Sequence, residues 1–344
     1  MNPEVAPQEI VMQMLVGAWV SQTISTITRL DIPDLIKCHG PQSAMQLTQV
    51  HGVKADTEFL SRVLRACASV GVFTEDADGK FGATPLSDVL TLDSSVSVKK
   101  LAEIFGGTWW QIWAGFPDAL TTGQPQTKNQ LGMEYWDYCQ ANPKEMADFG
   151  AAMQSNSLNS LRGVLKHCDL SESKKVADIG GGFGHLALEL VRKYPHLHGI
   201  VLDIPDLIPI AKSKIVNEPE DIIDRIQFIG GDMFEDVPAA DVYIMKLVIH
   251  DWDDAKCIQL LKNCHARMEG NGRIICVDAV LPPIGNVSGT AAKFLDINMM
   301  ISCPGKERTE EQWQYIYSQA GWKITSIQPI YDNYGTSIVE GIKS

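Results

Sequence analysis

No Cys-x-x-Cys pair occurs in the 344 residues; the eight cysteines are scattered singly, and the closest two, Cys257 and Cys264, stand seven apart. That spacing excludes a zinc ribbon or a disulfide framework and leaves reduced thiols as the expectation. Positive charge is in deficit too. The 29 Lys and Arg face 42 Asp and Glu, a net charge of −13, which works against polyanions such as nucleic acid or an anionic membrane face. Residues 1 to 100 hold eight basic and eleven acidic side chains, net −3, with no basic helix, so no nucleic-acid partner is expected there. No apolar run reaches bilayer length. Val11 to Val20 is too short to span, and Glu4 and Glu9 stand where a signal peptide would be basic, so the run reads as a core helix of a cytoplasmic protein. Internal repeats and low-complexity segments are missing as well.

What is present reads as ordinary globular chain, 45% apolar and 21% charged, with length for two domains. Residues 1 to 100 carry helix-period spacing at Met12, Ala18, Ile24 and Leu30, and again at Phe59, Val63, Leu64, Cys67 and Val70. A short run from Val72, a turn at Asp78-Gly79 and a second run from Lys80 to Ala83 predict a hairpin behind a helix pair, a winged-helix-like arrangement. The apolar helices exceed what so small a domain needs to cover itself, which predicts a homodimer built through this region. Residues 101 to 165 return to helical texture and are rich in aromatics, among them Trp110 and Trp113. From 166 to 344 the texture alternates. Apolar runs at 176–179, 199–204, 226–229, 242–248 and 274–277 are separated by helix-length segments, predicting a parallel sheet covered on both faces. Two last runs, 323–330 and 337–342, flank Asp332-Asn333-Tyr334-Gly335 and suit a hairpin that makes one edge strand antiparallel.

The strongest local signal is Asp178-Ile179-Gly180-Gly181-Gly182-Phe183-Gly184, running from a strand into a helix at His185 to Lys193. Glycine there lets the backbone approach a ligand closely. Gly182, Gly184 and Ala187 also satisfy G-x-G-x-x-A, so a nicotinamide or flavin site is a rival reading. Asp203, at the end of the next strand, suits the ribose hydroxyls of either NAD or S-adenosylmethionine. Gly231-Asp232-Met233-Phe234 separates the two. A carboxylate and two bulky apolar side chains would meet an adenine ring, Asp232 accepting from its amino group and Met233 lying on its face. The acidic Asp178 suits a ligand tail that carries an ammonium, as S-adenosylmethionine does, better than a pyrophosphate.

Lys246-Leu247-Val248-Ile249-His250-Asp251-Trp252 follows the fourth strand, which puts His250 at the carboxyl end of the sheet, where open α/β folds bind their ligands. A histidine in that place is positioned for proton transfer. A phenol of pKa near ~10 is mostly protonated at pH 7, and ionising it costs about 4 kcal/mol that a base can lower. Asp278 and Glu307 are both candidates to orient the imidazole, and the sequence does not rank them. A capping or core histidine is the plain alternative, as is a solvated helix start at Lys306 to Thr309 for Glu307. His250, Asp251, Asp253 and Asp254 bunch in one turn instead of converging, so no metal site is expected.

These motifs, in this order, resemble the plant and bacterial small-molecule O-methyltransferases of the caffeate and hydroxyneurosporene type, over nearly the whole chain. The matching elements are the glycine loop, Asp203-Ile-Pro, Gly231-Asp-Met-Phe, Leu-x-x-His-Asp-Trp and Lys-Glu-Arg-Thr, with Phe59 to Phe73 and Thr84-Pro85-Leu86-Ser87 in the N-terminal half. The resemblance implies a Rossmann-like class I methyltransferase domain at 166–344, an N-terminal helical winged-helix-like dimerisation domain at 1–100 and a helical linker at 101–165 that contributes to the substrate pocket. It implies S-adenosyl-L-methionine as cofactor, bound by Gly180, Asp203, Asp232, Met233 and Lys246, beside Asp178 and Gly182 of the glycine loop. His250 would be the base, flanked by Asp278 and Glu307. Phe149 and Met153 fall where the family has substrate-facing residues; Trp110, Trp113, Met299 and Cys303 complete the candidate acceptor contacts, although aromatics at helical spacing often only fill a core. Two departures stand out. Asp278 replaces the glutamate usual in plant members, and the segment before Lys306 is one glycine shorter, with Cys303 in place of asparagine. The shorter turn is more like bacterial enzymes that methylate polyketides, phenazines and other secondary metabolites. A metabolite-sensing DNA-binding protein and an amine or carbon methyltransferase are the competing readings, the first opposed by the charge.

Overall fold

A computed structural model describes residues 6–330 and 335–344, apart from the side chains of 154–159; positions 332–334 of the expected turn lie outside the described residues. The chain divides into two compact units, Met1–Gln111 with Ala147–Asn156, and Ile112–Met146 with Ser157–Ser344.

In the first unit, α1 (Pro7–Arg29) and α2 (Ile32–His39) are followed by α3 (Ala44–Gln49) and α4 (Thr57–Ser69). The hairpin β1 (Phe73–Glu75) and β2 (Phe81–Ala83) comes next, then α5 (Pro85–Asp88) and α6 (Lys99–Phe105). Asp56 caps α4 by accepting from the Phe59 N–H, and Leu60, Leu64 and Cys67 then fall on one buried face. The hairpin pairs antiparallel as expected, and its turn is stitched by Asp76 Oδ1, which accepts from the N–H groups of Asp78 and Lys80. Val11 to Val20 departs from expectation. It lies within a 23-residue helix of which only Ser25, Ile27 and Thr28 are buried, while Met14, Leu15 and Trp19 are 71%, 61% and 70% exposed. It is therefore not a core helix of the single chain. Apolar periodicity shows that a face will be covered without showing by what, and a 23-residue helix of this composition also meets the length of a membrane span.

The second unit gathers helices α7 (Thr108–Trp113), α8 (Phe116–Thr122), α9 (Thr127–Leu131) and α10 (Tyr135–Ala141), the first of these straddling the division. Helix α11 (Pro143–His167) is shared between the units. Its sheet is built from β3 (Lys175–Ile179), β4 (His198–Asp203), β5 (Ile226–Gly230), β6 (Ala240–Lys246) and β7 (Met268–Leu281), with the two-residue β8 (Arg308–Thr309) beside β7. The last strands are β9 (Trp322–Pro329) and β10 (Thr336–Lys343), and the order is β5-β4-β3-β6-β7-β10-β9. Between the strands run α12 (His185–Lys193), α13 (Ile208–Lys214), α14 (Glu220–Ile223), α15 (Asp254–Arg267), α16 (Thr290–Ser302) and α17 (Glu310–Gln319).

Strands β3 to β7 pair parallel, and their apolar runs are buried because helices cover both faces: Val176, Ala177, Ile179, Tyr243, Ile244, Ile274 and Ile275 have no exposure. Each such large apolar side chain stabilises the fold by about 1.5–3 kcal/mol. One expectation is corrected. The antiparallel strand is β10, which lies inside the sheet between β7 and β9, so the edge strand β9 runs parallel to the rest. Burial decides the order: β10 presents Thr336 to Val339 as a buried run, whereas β9 carries Lys323, Thr325, Ser326 and Gln328, the polar fringe that suits an edge. The chain reverses its direction of winding between β3 and β6, and the carboxyl ends of those neighbours define the crevice for a ligand.

Candidate active site

The loop leaving β3 is held from the end of β4. Asp203 Oδ2 accepts from the Gly182 N–H at 2.7 Å and Oδ1 from the Ile204 N–H at 2.8 Å, so the carboxylate is fixed while each oxygen keeps a lone pair for a ligand hydroxyl. Burial pushes the Asp203 carboxyl up, and the two N–H donors oppose that. Space lies open beside Gly182, since a Cβ there would meet nothing within 4 Å. Gly180 is different: at φ +66° its missing side chain makes room for Val248, whose Cγ2 would lie 2.8 Å from a Cβ. The glycine loop and the turn carrying His250 therefore touch. Asp178 is 2% exposed beneath the loop, accepts from the Ala187 N–H at 3.3 Å, and is pushed up to about 7 by burial, with the Lys246 charge opposing.

Gly231 donates to the Asp203 carbonyl at 3.0 Å, which brings the Asp232-Met233 step to the same rim. Asp232 is exposed and accepts from the Phe234 N–H at 2.8 Å; Met233 is half-buried against the central core. Phe234 packs against the same core. Its ring also packs edge-on against Trp252, centroids 4.6 Å apart. Together, an open glycine shelf, a fixed carboxylate and an exposed Asp232 fit a ribose and adenine.

Beyond β6 the backbone takes an unusual turn. Leu247 has φ +55°, a left-handed conformation costing a branched residue roughly 1–2 kcal/mol, and a 3-10 turn at Ile249–Asp251 then presents His250. His250 is 6% exposed, with Nδ1 2.7 Å from Glu307 Oε1 and 3.7 Å from Asp278 Oδ1. Glu307 is thus the hydrogen-bonded flank. Asp278, fully buried on β7, stands too far for a hydrogen bond and has both carboxylate oxygens unpartnered. Asp251 Oδ1 lies 3.6 Å from Nε2, on the ring's other side. Burial by itself would lower the His250 pKa; the charge and hydrogen bond of Glu307, with Asp251 and Asp278, outweigh it and raise it to about 10. Burial also pushes Asp278 up to about 7 and Asp251 up to about 6. Donor atoms of His250, Asp278 and Glu307 lie within 4.8 Å of one another, but the 2.7 Å contact is hydrogen-bond length, shorter than the ~3 Å between two ligands of one ion held at about 2.1 Å.

Glu307 and Arg308 are 2% and 1% exposed, so the segment before α17 is not a solvated helix start, even though Thr309 does cap that helix with Gln312. Met299 is buried on α16, and Cys303 follows it by one turn, its Sγ 3.4 Å from the Met299 carbonyl, its thiol held well above the usual range by burial. Trp113 Nε1 donates to Asn298 Oδ1 at 2.9 Å. Trp110, Phe149 and Met153 belong to the other unit, Trp110 exposed and the other two half-buried. Asp296 and Asn298 went unread in the sequence, while Asp251 and Arg308 were read only as members of charged turns and given no role at the site.

A family model described as an O-methyltransferase domain matches residues 113–323, and one described as an O-methyltransferase dimerisation domain matches residues 12–93. The chain is 33% identical over 332 residues to a phenazine O-methyltransferase of Lysobacter antibioticus, covering 96% of this chain and 95% of the relative. Its fold is similar to that of human N-acetylserotonin methyltransferase solved with S-adenosylmethionine, at TM-score 0.88 and 28% identity over all of both chains. It is also similar to an N,N-8-amino-8-demethyl-D-riboflavin dimethyltransferase of Streptomyces davawensis, at TM-score 0.81 and 25% identity, covering 99% and 100%.

Proposed function

Because this chain belongs to the O-methyltransferase family and uses S-adenosylmethionine, we propose that it methylates a phenolic hydroxyl of a small secondary metabolite, with His250 as the general base. One observation carries the reading: the 2.7 Å bond from Nδ1 to Glu307 fixes the ring and its tautomer, leaving Nε2 as the nitrogen that can take a proton. The cofactor supplies a methyl group on a positively charged sulfur. Asp203 would hold its ribose hydroxyls, Asp232 and Met233 its adenine, with Gly180, Gly182, Asp178 and Lys246 around its amino-acid tail. His250, raised to about 10 among carboxylates, loses its extra proton more readily once a cationic cofactor lies nearby, and the neutral imidazole then draws the hydroxyl proton. Glu307 orients the ring and Asp278 adds negative charge behind it. Trp113, Met299 and Cys303, which share one compact unit with the base, are the acceptor contacts we propose.

The functional partition we propose is dimerisation in 1–100, acceptor contacts from 101–165, and cofactor and base in 166–344. The enzyme would work in the cytoplasm and as a homodimer; the dimerisation-domain match and the exposed apolar face of α1 support the dimer, and an active monomer in light scattering would refute it. An amine acceptor is the second reading, favoured by the likeness to the riboflavin-type dimethyltransferase. A panel of phenols and aryl amines incubated with methyl-labelled cofactor, with the products resolved by mass spectrometry, separates the two: label on oxygen supports the first reading, label confined to nitrogen overturns it.

A further inference from the structure

The base is held twice by one dipeptide. Glu307 bonds the imidazole, while Arg308 bonds the main chain on either side of it: Nη1 donates to the Ile249 carbonyl at 3.1 Å and Nη2 to the Trp252 carbonyl at 2.9 Å, the residues flanking His250 and Asp251. The guanidinium is anchored in turn by Asp254 Oδ1, 3.0 Å from Nε and 2.8 Å from Nη2, and by the Lys306 carbonyl at 3.3 Å. Gly305 closes the assembly. A Cβ at that position would stand 1.8 Å from the His250 carbonyl oxygen, so the strap lies directly on the peptide that carries the base. Asp296 on α16 fixes the strap from behind by accepting from the Glu307 N–H at 2.9 Å.

We propose that Arg308 is a positioning residue for methyl transfer, clamping the His250 turn so that Nε2 is held against the acceptor oxygen. The proposal rests on His250 being the base. Three physical arguments support it. The turn begins at the strained Leu247 and would relax without an external hold. An arginine buried to 1% exposure carries a desolvation cost that only a saturated set of acceptors offsets, and this one has them. A planar fork reaches two carbonyls and a carboxylate at once, which a lysine ammonium at the same place does not reproduce.

The test compares Arg308→Lys and Gly305→Ala with wild type on one acceptor, measuring kcat, the KM for the cofactor, the pH profile of kcat and calorimetric affinity for S-adenosylhomocysteine. Rates are counted per competent cofactor site, so a partly folded preparation still reports. We expect kcat to fall about 10- to 100-fold, the cost of misplacing a reacting group by an ångström, with cofactor affinity within about threefold of wild type. The acid limb of the profile should move as well, because the charged groups around His250 are Asp251 on its own turn, Asp278 on β7 and Glu307 on the strap, and releasing the clamp shifts the turn and the strap against the fixed Asp278. Asp254→Asn, at the outer end of the clamp, should give a smaller loss of the same kind. Wild-type kcat per site with an unshifted profile, whatever the change in melting temperature, would overturn the proposal. His250→Gln assayed alongside separates the two claims. An inactive His250→Gln with normal strap variants removes the clamp and keeps the base; an active His250→Gln removes the base, and the clamp with it.

Discussion

The two ends of the site are built in different ways. At β3 and β4 the groups proposed to face the ligand stand within a few residues of the strands that place them, and one side chain, Asp203, proposed for the ribose, also holds the loop through the Gly182 N–H. At β6 the proposed base depends on parts distant in the chain: Glu307 is 57 residues away from His250, Arg308 and Gly305 meet the turn from the same remote segment, and Asp296 on α16 holds Glu307. On the proposed reading, cofactor binding is a local property of a strand end, whereas proton transfer is a property of the packing of β6, β7 and the strap. Mutations at the first end should be read in affinity and at the second in turnover.

His250→Gln should draw that distinction most strongly, with kcat reduced on the order of 10²- to 10⁴-fold at neutral pH while calorimetry with S-adenosylhomocysteine stays near wild type. Asp203→Ala should do the reverse. Losing charge-assisted hydrogen bonds of about 1.5–3 kcal/mol each, and the anchor of Gly182 besides, it should weaken cofactor affinity by roughly 10²-fold or more, with saturated turnover much less affected. Next comes Glu307→Gln, which keeps the shape and removes the main influence raising the His250 pKa; a loss of about 10-fold at neutral pH with the acid limb displaced to lower pH is expected in a pH–rate series. Asp278→Asn should fall within a few-fold of wild type, since at 3.7 Å its carboxyl makes no hydrogen bond to the ring; a defect as large as that of Glu307→Gln would reverse the ranking of the flanks.

The smallest effect is a fraction of a proton. Asp178, pushed up to about 7, and His250, raised to about 10, both lose protons when a cation binds beside them. S-adenosylmethionine binding near pH 7 should release more protons than S-adenosylhomocysteine binding, which lacks the sulfonium charge; calorimetry in buffers of different ionisation enthalpy measures the difference, and equal release would show that neither group feels the charge.

The same contrast explains what was legible in the sequence. The strands were readable to within a few residues because a strand buried on both faces is an apolar run bounded by turn residues, as at 176–179 and 226–229. The glycine loop, Asp203 and the His250 segment were readable for the same local reason. The choice between Asp278 and Glu307 was not, because it turns on how far two side chains from separate elements reach, and that distance is fixed by packing: 3.7 Å for one and 2.7 Å for the other. Arg308 read as a surface charge for want of any local sign that carbonyls from 249 and 252 would converge on it. The buried run of β10 was visible, yet its place inside the β9 edge depends on which of two short strands the β7 flank accepts. Helix α1 misled in the opposite sense, its apolar face exposed in the single chain although its periodicity reads as core.

The central claim, that His250 takes the acceptor's proton, is tested most directly by the pH dependence of single-turnover methyl transfer in His250→Gln with saturating cofactor and a phenolic acceptor. The predicted result is a rate on the order of 10²- to 10⁴-fold below wild type at neutral pH that climbs toward it as pH approaches the phenol's own pKa of ~10, where hydroxide makes the phenolate unaided. A near-wild-type rate at neutral pH, flat across the range, would contradict it and leave His250 only a place in the wall of the site.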